Sequence, residues 1–294
     1  MSPLKSRGFT LIEILVALVL MGIVSVAIYQ TLVTHQRTFL AQTQRIDLQQ
    51  NIRAAATILP GEFRTLDSPD SDIAAMSATS ITIRAIRKLG FICNPPVLPA
   101  GLGNISITVR AQPYFGTPGG FANNDSVLIY FEGNPRSRLD DSWVKAQLKS
   151  APSAATCPDS GTTHPGWSLT MAPQWLAGQT QAAGAITNGS PIYGFQTVTY
   201  GLYYTGGSYY IGDSISGQGG WQALIGPLIG SNGLTLSYYD STGAVTTVRT
   251  QVAQVGIVLR AQTAVPTRPA SSGTAAYQVD SVTTRVALRN NPRW

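Results

Sequence analysis

The chain has 294 residues, of which 44% are hydrophobic and only 12% are charged, with 29 glycines and 18 prolines. The charged fraction is about half of the ~25% found in typical soluble domains, and the hydrophobic content excludes an intrinsically disordered chain. The net charge of +6 comes from basic residues scattered along the sequence, a distribution that does not indicate a nucleic-acid-binding surface.

An apolar run at residues 9–29 is the strongest feature of the sequence. It contains one charge, Glu13, and is preceded by Lys5 and Arg7. A helix of about 20 residues spans roughly 30 Å, the thickness of a bilayer core. The basic residues before the run place the N-terminus in the cytoplasm and the remaining chain outside. A secretory signal peptide is the alternative, but no Ala-x-Ala site closes the run, and we expect the helix to be retained.

Glu13 needs an explanation, because a carboxylate in a membrane helix is costly unless it is paired or protonated. One interpretation is an interfacial residue that the helix dipole favours. The other rests on the surrounding sequence, GFTLIE at residues 8–13 after a short basic leader. This segment closely resembles the class III signal of type IV prepilins and of the pseudopilins of type II secretion.

The resemblance implies a specific processing reaction and a specific assembly contact. Prepilin peptidase would cut after Gly8 and methylate the new amino group of Phe9. Glu13 would become the fifth residue of the mature helix and pair with the N-terminal amine of a neighbouring subunit, which relieves two unpaired charges in hydrocarbon. Many major pilins carry proline at the position of Gln30, so whether this helix partly melts in a filament stays open.

The sequence predicts four regions. They are a leader peptide at residues 1–8, a transmembrane helix at 9–29, an amphipathic stalk helix at 30–61 and a β-rich head at 62–294. Pro60 and Gly61 are expected to end the helix. Two apolar stripes on the stalk are expected to pack on the head: Leu32, Phe39 and Ile46, and Leu48, Ile52, Ala55 and Leu59.

From residue 80 onward the hydrophobic pattern has period two, which is typical of half-buried strands. We predict strands around Ile81–Ile83, Ile105–Val109, Val127–Phe131, Tyr200–Tyr204, Tyr209–Ile211, Leu234–Tyr238, Val255–Leu259 and Val282–Leu288. The predicted fold class is α+β and pilin-like, with the long N-terminal helix packed on an antiparallel sheet.

Residues 134–191 are rich in Pro, Ser, Ala, Gly and Thr, and we expect a long loop-rich insertion. Trp143, Trp167 and Trp175 either pin this insertion to the head or anchor a partner. Cys93 and Cys157 would face the periplasm or the exterior, where disulfides persist, and we expect them to be bridged.

The sequence offers little for catalysis. His35 and His164 are the only histidines, so no His-based triad or metal cage can be assembled. Asp67, Asp70 and Asp72 lack the glycine turn and downstream Glu of a calcium loop, and a solvated loop is expected there. We therefore expect no enzymatic activity, no catalytic residue, no metal and no cofactor.

The expected function is that of a minor pilin, since the C-terminal pattern and the segment Arg87–Phe91 resemble minor pilins of the PilW type. Such a subunit helps to initiate or cap a type IV pilus. Its expected partners are prepilin peptidase, other minor and major pilins, the inner-membrane assembly platform and a tip adhesin. The expected location is the inner membrane, by a single span with a periplasmic head, and then the pilus.

Three alternatives remain open from the sequence. The first is a J-type minor pseudopilin of a type II secretion system, which has the same leader and fold. The second is a DNA-uptake subunit, which needs a basic patch such as one formed by Arg249, Arg260, Arg285 and Arg289. The third is a tip adhesin or membrane-anchored lectin that uses the tyrosine-rich segment at residues 200–210. We expect no nucleic-acid partner.

Overall fold

The computed structural model describes residues 10–96, 103–111, 115–116, 120–132, 136, 141–159, 162–174, 186–267 and 274–289. Within these residues one long helix precedes fourteen strands of a single antiparallel sheet. The elements are α1 (Leu11–Arg64), β1 (Ile73–Met76), β2 (Ser80–Asn94), β3 (Ile105–Arg110), β4 (Phe115–Gly116), β5 (Ser126–Phe131), β6 (Ser142–Leu148), β7 (Ser153–Asp159), β8 (Thr162–Gln174), β9 (Pro191–Thr205), β10 (Ser208–Ile215), β11 (Gln222–Leu228), β12 (Leu234–Tyr239), β13 (Gln254–Gln262) and β14 (Val279–Ala287). The predicted α+β class is confirmed.

The helix is continuous over 54 residues, which corresponds to about 80 Å. The expected end at Pro60 and Gly61 is wrong, because Pro60 lies inside the helix and the last turn continues to Arg64. Proline removes one backbone hydrogen bond, but Phe63, three residues further on, is fully buried in the head. Burial of this ring favours continuation of the helix beyond the proline.

Six strands form a closed antiparallel barrel. Pairing runs from β2 to β3, β8, β6, β5 and β9, and β9 pairs back with β2. Closure leaves no free edge within the ring, and the interior is filled with side chains. Every strand of the ring contributes to this core, which consists of Ile92, Ile105, Ile107, Val109, Phe121, Val127, Ile129, Phe131, Val144, Ala146, Leu148, Leu169, Met171, Ile186 and Ile192. We call this part of the head the barrel lobe.

The second part of the head is an open sheet covered by the helix. Its strand order is β1-β2-β9-β10-β11-β13-β12, with β14 on the other edge of β13. The helix contacts β11, β13 and β14. We call this part the helix lobe, and its core includes Leu48, Ile52, Ala55, Leu59, Phe63, Ile81, Ile83, Val198, Tyr200, Ile211, Leu236, Val255, Ile257, Leu259, Val286 and Leu288.

Strands β2 and β9 belong to both lobes. Each has 15 residues, and they pair from Ser80 with Gly201 to Phe91 with Pro191. The register shifts between Ile86 and Lys88. This irregularity lies where the sheet passes from the open helix lobe into the closed barrel, as β-bulges commonly do at bends.

The expected loop-rich insertion at residues 134–191 is wrong, because β6, β7 and β8 lie within it. Its inward positions alternate as in other strands, with Val144, Ala146 and Leu148 on β6 and Leu169 and Met171 on β8 all in the barrel core. In β6 the run at residues 144–148 alternates apolar and polar residues but is short, whereas in β8 small residues and prolines hide the alternation. Pairing with neighbouring strands compensates for their low strand propensity.

The eight strands predicted from period-two patterns are all confirmed, although most are longer than predicted. Strand β14 shows the alternation clearly: Val286 is buried, Val282 and Thr284 are partly buried, and Thr283 and Arg285 are exposed. Strands β1 and β11 were not predicted. Their sequences, IAAM and QALIGPL, are short and lack a long alternating run.

Candidate functional site: the N-terminal helix and its contacts with the head

The helix begins with a reciprocal capping box. The Oγ1 atom of Thr10 accepts a hydrogen bond from the Glu13 N–H at 3.3 Å, and Oε2 of Glu13 accepts one from the Thr10 N–H at 3.3 Å. Two helix-terminal donors are satisfied in this way. The Glu13 carboxylate is therefore held at the start of the helix. Gly8 and Phe9 lie outside the described residues.

The N-terminal part of the helix is apolar and exposed on all sides. Its large side chains between Leu11 and Tyr29 are at least half exposed. Among the described residues, α1 is the one helix that is long and apolar enough to cross a membrane. Exposure of so much contiguous apolar surface is unfavourable in water. The surface requires a lipid or protein environment.

The two apolar stripes of the stalk behave differently. Leu48, Ile52, Ala55 and Leu59 are buried against the head, as predicted. Leu32, Phe39 and Ile46 are 56%, 68% and 53% exposed, so the expectation that they pack on the head is wrong. Leu32 and Phe39 lie before the packed stretch of the helix, which begins near Gln44, where its Oε1 accepts a hydrogen bond from the Ala264 N–H. Ile46 lies within that stretch, but on the opposite side of the helix from Gln44 and Leu48.

Polar contacts fix the C-terminal part of the helix on the sheet. The Asn51 Nδ2 donates to the Gly226 carbonyl at 2.9 Å, and the Arg289 N–H donates to the Arg64 carbonyl at 2.8 Å. The second contact satisfies one of the free carbonyls at the helix C-terminus. Together with the buried stripe, these contacts set the direction in which the exposed part of the helix leaves the head.

A partly buried ion pair joins the last turn of the helix to β2. The Arg87 Nη1 lies 3.0 Å from the Glu62 carboxylate, and its Nη2 donates to the Tyr200 hydroxyl at 3.2 Å. Burial lowers the pKa of Arg87, but Glu62 and Tyr200 outweigh burial and the pKa lies above its ordinary value. Burial also raises the pKa of Tyr200. The contacts with Glu62 and Tyr200 satisfy the charge of Arg87 where the helix meets the sheet, and their role is structural.

The three aspartates after the helix do not form a calcium loop. Arg84 Nε lies 2.6 Å from the Asp72 carboxylate and Arg84 Nη2 lies 2.8 Å from Asp70. Asp72 also accepts a hydrogen bond from the Asp67 N–H at 2.7 Å. Burial raises the pKa of Asp72, although Arg84 opposes this shift. The expected solvated loop is wrong for Asp72, which is buried.

No group of three or more His, Cys, Asp or Glu residues in the described part of the chain can hold a metal ion. His35 and His164 are both exposed and lie far apart in the sequence, on the helix and on β8. Three of the four arginines considered for nucleic acid have other contacts. Arg249 and Arg260 donate to the Ala74 and Asn232 carbonyls, and Arg285 lies over the Tyr239 ring.

Two of the three tryptophans of residues 134–191 can be placed. Trp143 packs between Tyr130 and Tyr193, with ring centroids 5.3 and 4.8 Å apart. Trp143 therefore holds β6 on the sheet, which agrees with the interpretation that the tryptophans pin residues 134–191 to the head. Trp167 is 42% exposed on β8, and Trp175 lies outside the described residues.

Cys93 on β2 and Cys157 on β7 form a disulfide bond with a Cα–Cα distance of 5.4 Å. Strand β7 pairs with β8, which pairs with β3, which pairs with β2. The disulfide thus joins the first and last of four consecutive strands. A bond between them closes β7 over the barrel wall.

Residues 3–29 match a protein-family model described as the prokaryotic N-terminal methylation motif. No curated protein and no solved structure matches the chain significantly. The match covers the apolar helix and the segment that contains Gly8, Phe9 and Glu13. It supports a type IV prepilin-like protein, and together with the exposed apolar helix it is consistent with a membrane-anchored pilin.

Thr10 is a site residue that the sequence analysis did not single out. Its spacing to Glu13 is the Thr-x-x-Glu pattern of a capping box before an apolar run, which is visible in the sequence. The capping box describes the contacts of Glu13 within one chain, in the first turn of the helix. The assembly interpretation concerns contacts between chains, and the two are compatible.

Proposed function

We propose that the protein is a minor pilin, a non-catalytic subunit that helps to initiate or cap a type IV pilus. Prepilin peptidase cuts after Gly8 and methylates the amino group of Phe9. The helix at residues 9–29 then holds the subunit in the inner membrane, with the head in the periplasm. From there it joins other minor and major pilins at the assembly platform.

One observation carries this proposal. The methylation motif lies on a helix whose N-terminal part is apolar and exposed, while the C-terminal part of the same helix is fixed on the head. A rigidly held helix with an uncovered apolar surface is suited to pack among similar helices. Lipid can cover that surface before assembly and neighbouring helices can cover it afterwards.

The size of the head favours a minor subunit. The barrel lobe adds a second core to the helix lobe, and a head of this size fits more readily at the end of a filament than in every turn. A place at the end also suits contact with a tip adhesin. A J-type pseudopilin of type II secretion uses the same helix and leader and is an outcome of the tests below.

Processing is tested by N-terminal sequencing and mass measurement of the protein from native membranes, with and without active prepilin peptidase. The proposal requires a chain that starts at N-methylated Phe9 only when the peptidase is active. A terminus at Met1, or cleavage beyond Tyr29, contradicts it. Loss of protein secretion with normal pili in a deletion strain assigns the chain to a type II secretion system instead.

The charge of Glu13, which the proposed assembly contact needs, can be separated from the hydrogen bond of Glu13 in the capping box. Glu13→Gln keeps an oxygen that accepts from the Thr10 N–H but removes the charge, whereas Thr10→Ala removes the cap and keeps the charge. If Glu13 pairs with a neighbour's amine, Glu13→Gln assembles as poorly as Glu13→Ala, and Thr10→Ala assembles nearly normally. All three variants should still be processed.

The matched control is Asp47→Ala, which removes an exposed carboxylate further along the same helix. It should leave pilus number unchanged. Normal pilus number in Glu13→Gln, combined with a defect in Thr10→Ala, means that only the helix cap matters. The proposed contact between subunits is then wrong.

A further inference from the structure

A cleft of about 500 Å³ lies where the two lobes meet. Its floor is the middle of β9, where the neighbouring strand changes from β5, which ends its pairing at Phe195, to β10, which begins at Val198. Gln196 and Thr197 lie in the gap between these partners, and the turns at residues 123–126 and 215–218 form the walls. Its volume is within the range of small-molecule sites.

The lining of the cleft is dominated by carboxamide side chains. Five of its twelve residues carry a carboxamide: Asn123, Asn124, Gln147, Gln196 and Gln218. Three more carry a hydroxyl group, and Phe195 and Ile215 supply an apolar part. Each carboxamide offers a donor pair and an acceptor side by side. Such groups match the adjacent hydroxyls of a sugar, each of which both donates and accepts.

Most of these carboxamides have no other partner. The Gln147 Oε1 accepts a hydrogen bond from Lys149 Nζ at 3.1 Å. In the part of the chain that the structure describes, the side chains of the other four have no hydrogen bond to protein. Their hydrogen-bonding groups are therefore available to a ligand without breaking contacts that hold the fold.

The charge of the cleft favours a neutral ligand. Asp125 is its one ionisable lining residue, and its carboxylate is bonded to Lys88 Nζ and to the Ala122 N–H. Phosphate and carboxylate ligands are generally bound by arginine or lysine, and the lining contains neither. Lys145 and Arg84 lie outside the lining, with the Lys145 Nζ 5.7 Å and the Arg84 Cζ 5.5 Å from the centre of the Phe195 ring.

The walls of the cleft are held in place before any ligand binds. The Asn124 N–H donates to the Leu148 carbonyl at 3.1 Å, and the Ser216 N–H donates to the Thr197 carbonyl at 2.9 Å. Asn124 also has a φ of 67°, a left-handed conformation that is uncommon outside glycine. Preformed walls reduce the entropy lost on binding.

We propose that this cleft between the lobes binds a neutral saccharide. Carboxamides and hydroxyls would form hydrogen bonds with the sugar hydroxyls, and Ile215, with the small exposed part of the buried Phe195 side chain, would contact the apolar C–H groups of the sugar. This inference goes beyond the proposed role in pilus assembly and does not depend on it, because all the residues that line the cleft belong to the head.

The test uses the full chain in nanodiscs or in a detergent without a sugar headgroup, since glycoside detergents would compete for the site. Binding is measured against immobilised neutral oligosaccharides of glucose, galactose, mannose and N-acetylglucosamine, and against acidic oligosaccharides that contain uronic or sialic acid. The double variant Asn123→Ala/Gln218→Ala changes two exposed residues of opposite walls. The matched control Asn104→Ala/Gln50→Ala removes two exposed carboxamides elsewhere.

We expect the unmodified chain to bind at least one neutral oligosaccharide with a Kd of about 1 mM or tighter. The cleft double variant should bind about tenfold more weakly, because two hydrogen-bonding groups are lost, and the control should bind within about twofold of the unmodified chain. Ser216→Trp, which fills the cleft from an exposed position, should abolish binding while thermal unfolding stays unchanged.

Three results would overturn the proposal. The first is no binding to any neutral oligosaccharide of the panel. The second is binding that survives both the double variant and Ser216→Trp, which places the site elsewhere, for example at the stacked rings of Tyr203 and Trp221. The third is binding restricted to acidic oligosaccharides and lost in Lys145→Gln, which contradicts the neutral class.

Discussion

The two lobes of the head bury the same sheet in different ways. In the helix lobe the sheet is open, and the C-terminal part of α1 covers one of its faces. In the barrel lobe, no helix of the residues that the structure describes contributes to the core, and six strands close on themselves instead. One lobe therefore depends on a long-range contact between helix and sheet, whereas the other depends on strand closure. We expect the lobes to respond to different substitutions.

The junction between the lobes needs residues without a side chain. Gly194 on β9 lies beside Phe121 of the barrel core, and a Cβ there would come within 2.9 Å of the Lys88 Cβ and 3.0 Å of the Phe121 ring. Gly90 on β2 is similarly close to Ile192 and Phe121. The two shared strands can thus enter the barrel closely packed because glycine occupies these positions.

The largest expected effect is in the helix lobe. Phe63→Ala removes a fully buried ring at the end of the helix and should destabilise this lobe by about 3–5 kcal/mol. Hydrogen exchange measured by mass spectrometry should show faster opening of β13 and β14, with little change in the barrel strands. Ile46→Ala, at an exposed site on the same helix, is the control. Equal loosening of both lobes would show that they unfold as one unit.

The disulfide provides the converse test. Replacing both Cys93 and Cys157 with Ala removes a link between residues 64 positions apart and should cost about 2–5 kcal/mol. Hydrogen exchange should increase in β3, β7 and β8, while the helix lobe keeps its protection. A double variant in which β7 stays as protected as before would mean that pairing with β8 alone holds that strand on the barrel.

A smaller effect is expected at the helix–sheet ion pair. Glu62→Gln keeps the shape of the side chain but removes the charge opposite Arg87, whose guanidinium is partly buried. Because the pair is partly solvated, the loss should be about 1 kcal/mol. Thermal unfolding of the full chain measures it, and Asp47→Asn on the exposed face is the control. A loss as large as that of Phe63→Ala would show that the ion pair contributes as much as the ring to fixing the helix end.

The sequence predicted the helix lobe better than the barrel lobe, for a physical reason. Strands such as β13 and β14 alternate large β-branched residues with polar ones, so their period of two is visible. In the barrel, β7 and β8 carry many small and proline residues, as in the sequence TTHPGWSLTMAPQ of β8. Closure of the barrel is a property of all six strands together and has no local signature.

The helix illustrates the same limit at the level of single residues. Leu32, Phe39 and Ile46 repeat every seven residues and are as apolar as the stripe from Leu48 to Leu59. The position of the head and the face of the helix that contacts it decide which stripe is buried, and both depend on contacts more than 150 residues away, such as the one between Gln44 and Ala264. The local cap formed by Thr10 and Glu13, by contrast, could be read from four consecutive residues.

The smallest effect on stability is expected on the exposed stripe, where it separates folding from assembly. Phe39 lies on the helix before the stretch that packs on the head, and its side chain is 68% exposed. Phe39→Ala should therefore change the stability of either lobe by less than about 0.5 kcal/mol. If neighbouring helices cover this stripe, the same substitution should still lower the number of pili, because apolar contacts between subunits are lost. Thr43→Ala, an exposed site one turn further along, is the control. Stability and pilus number that both stay unchanged in Phe39→Ala would mean that contacts between helices are confined to the part of the helix nearer its N-terminus.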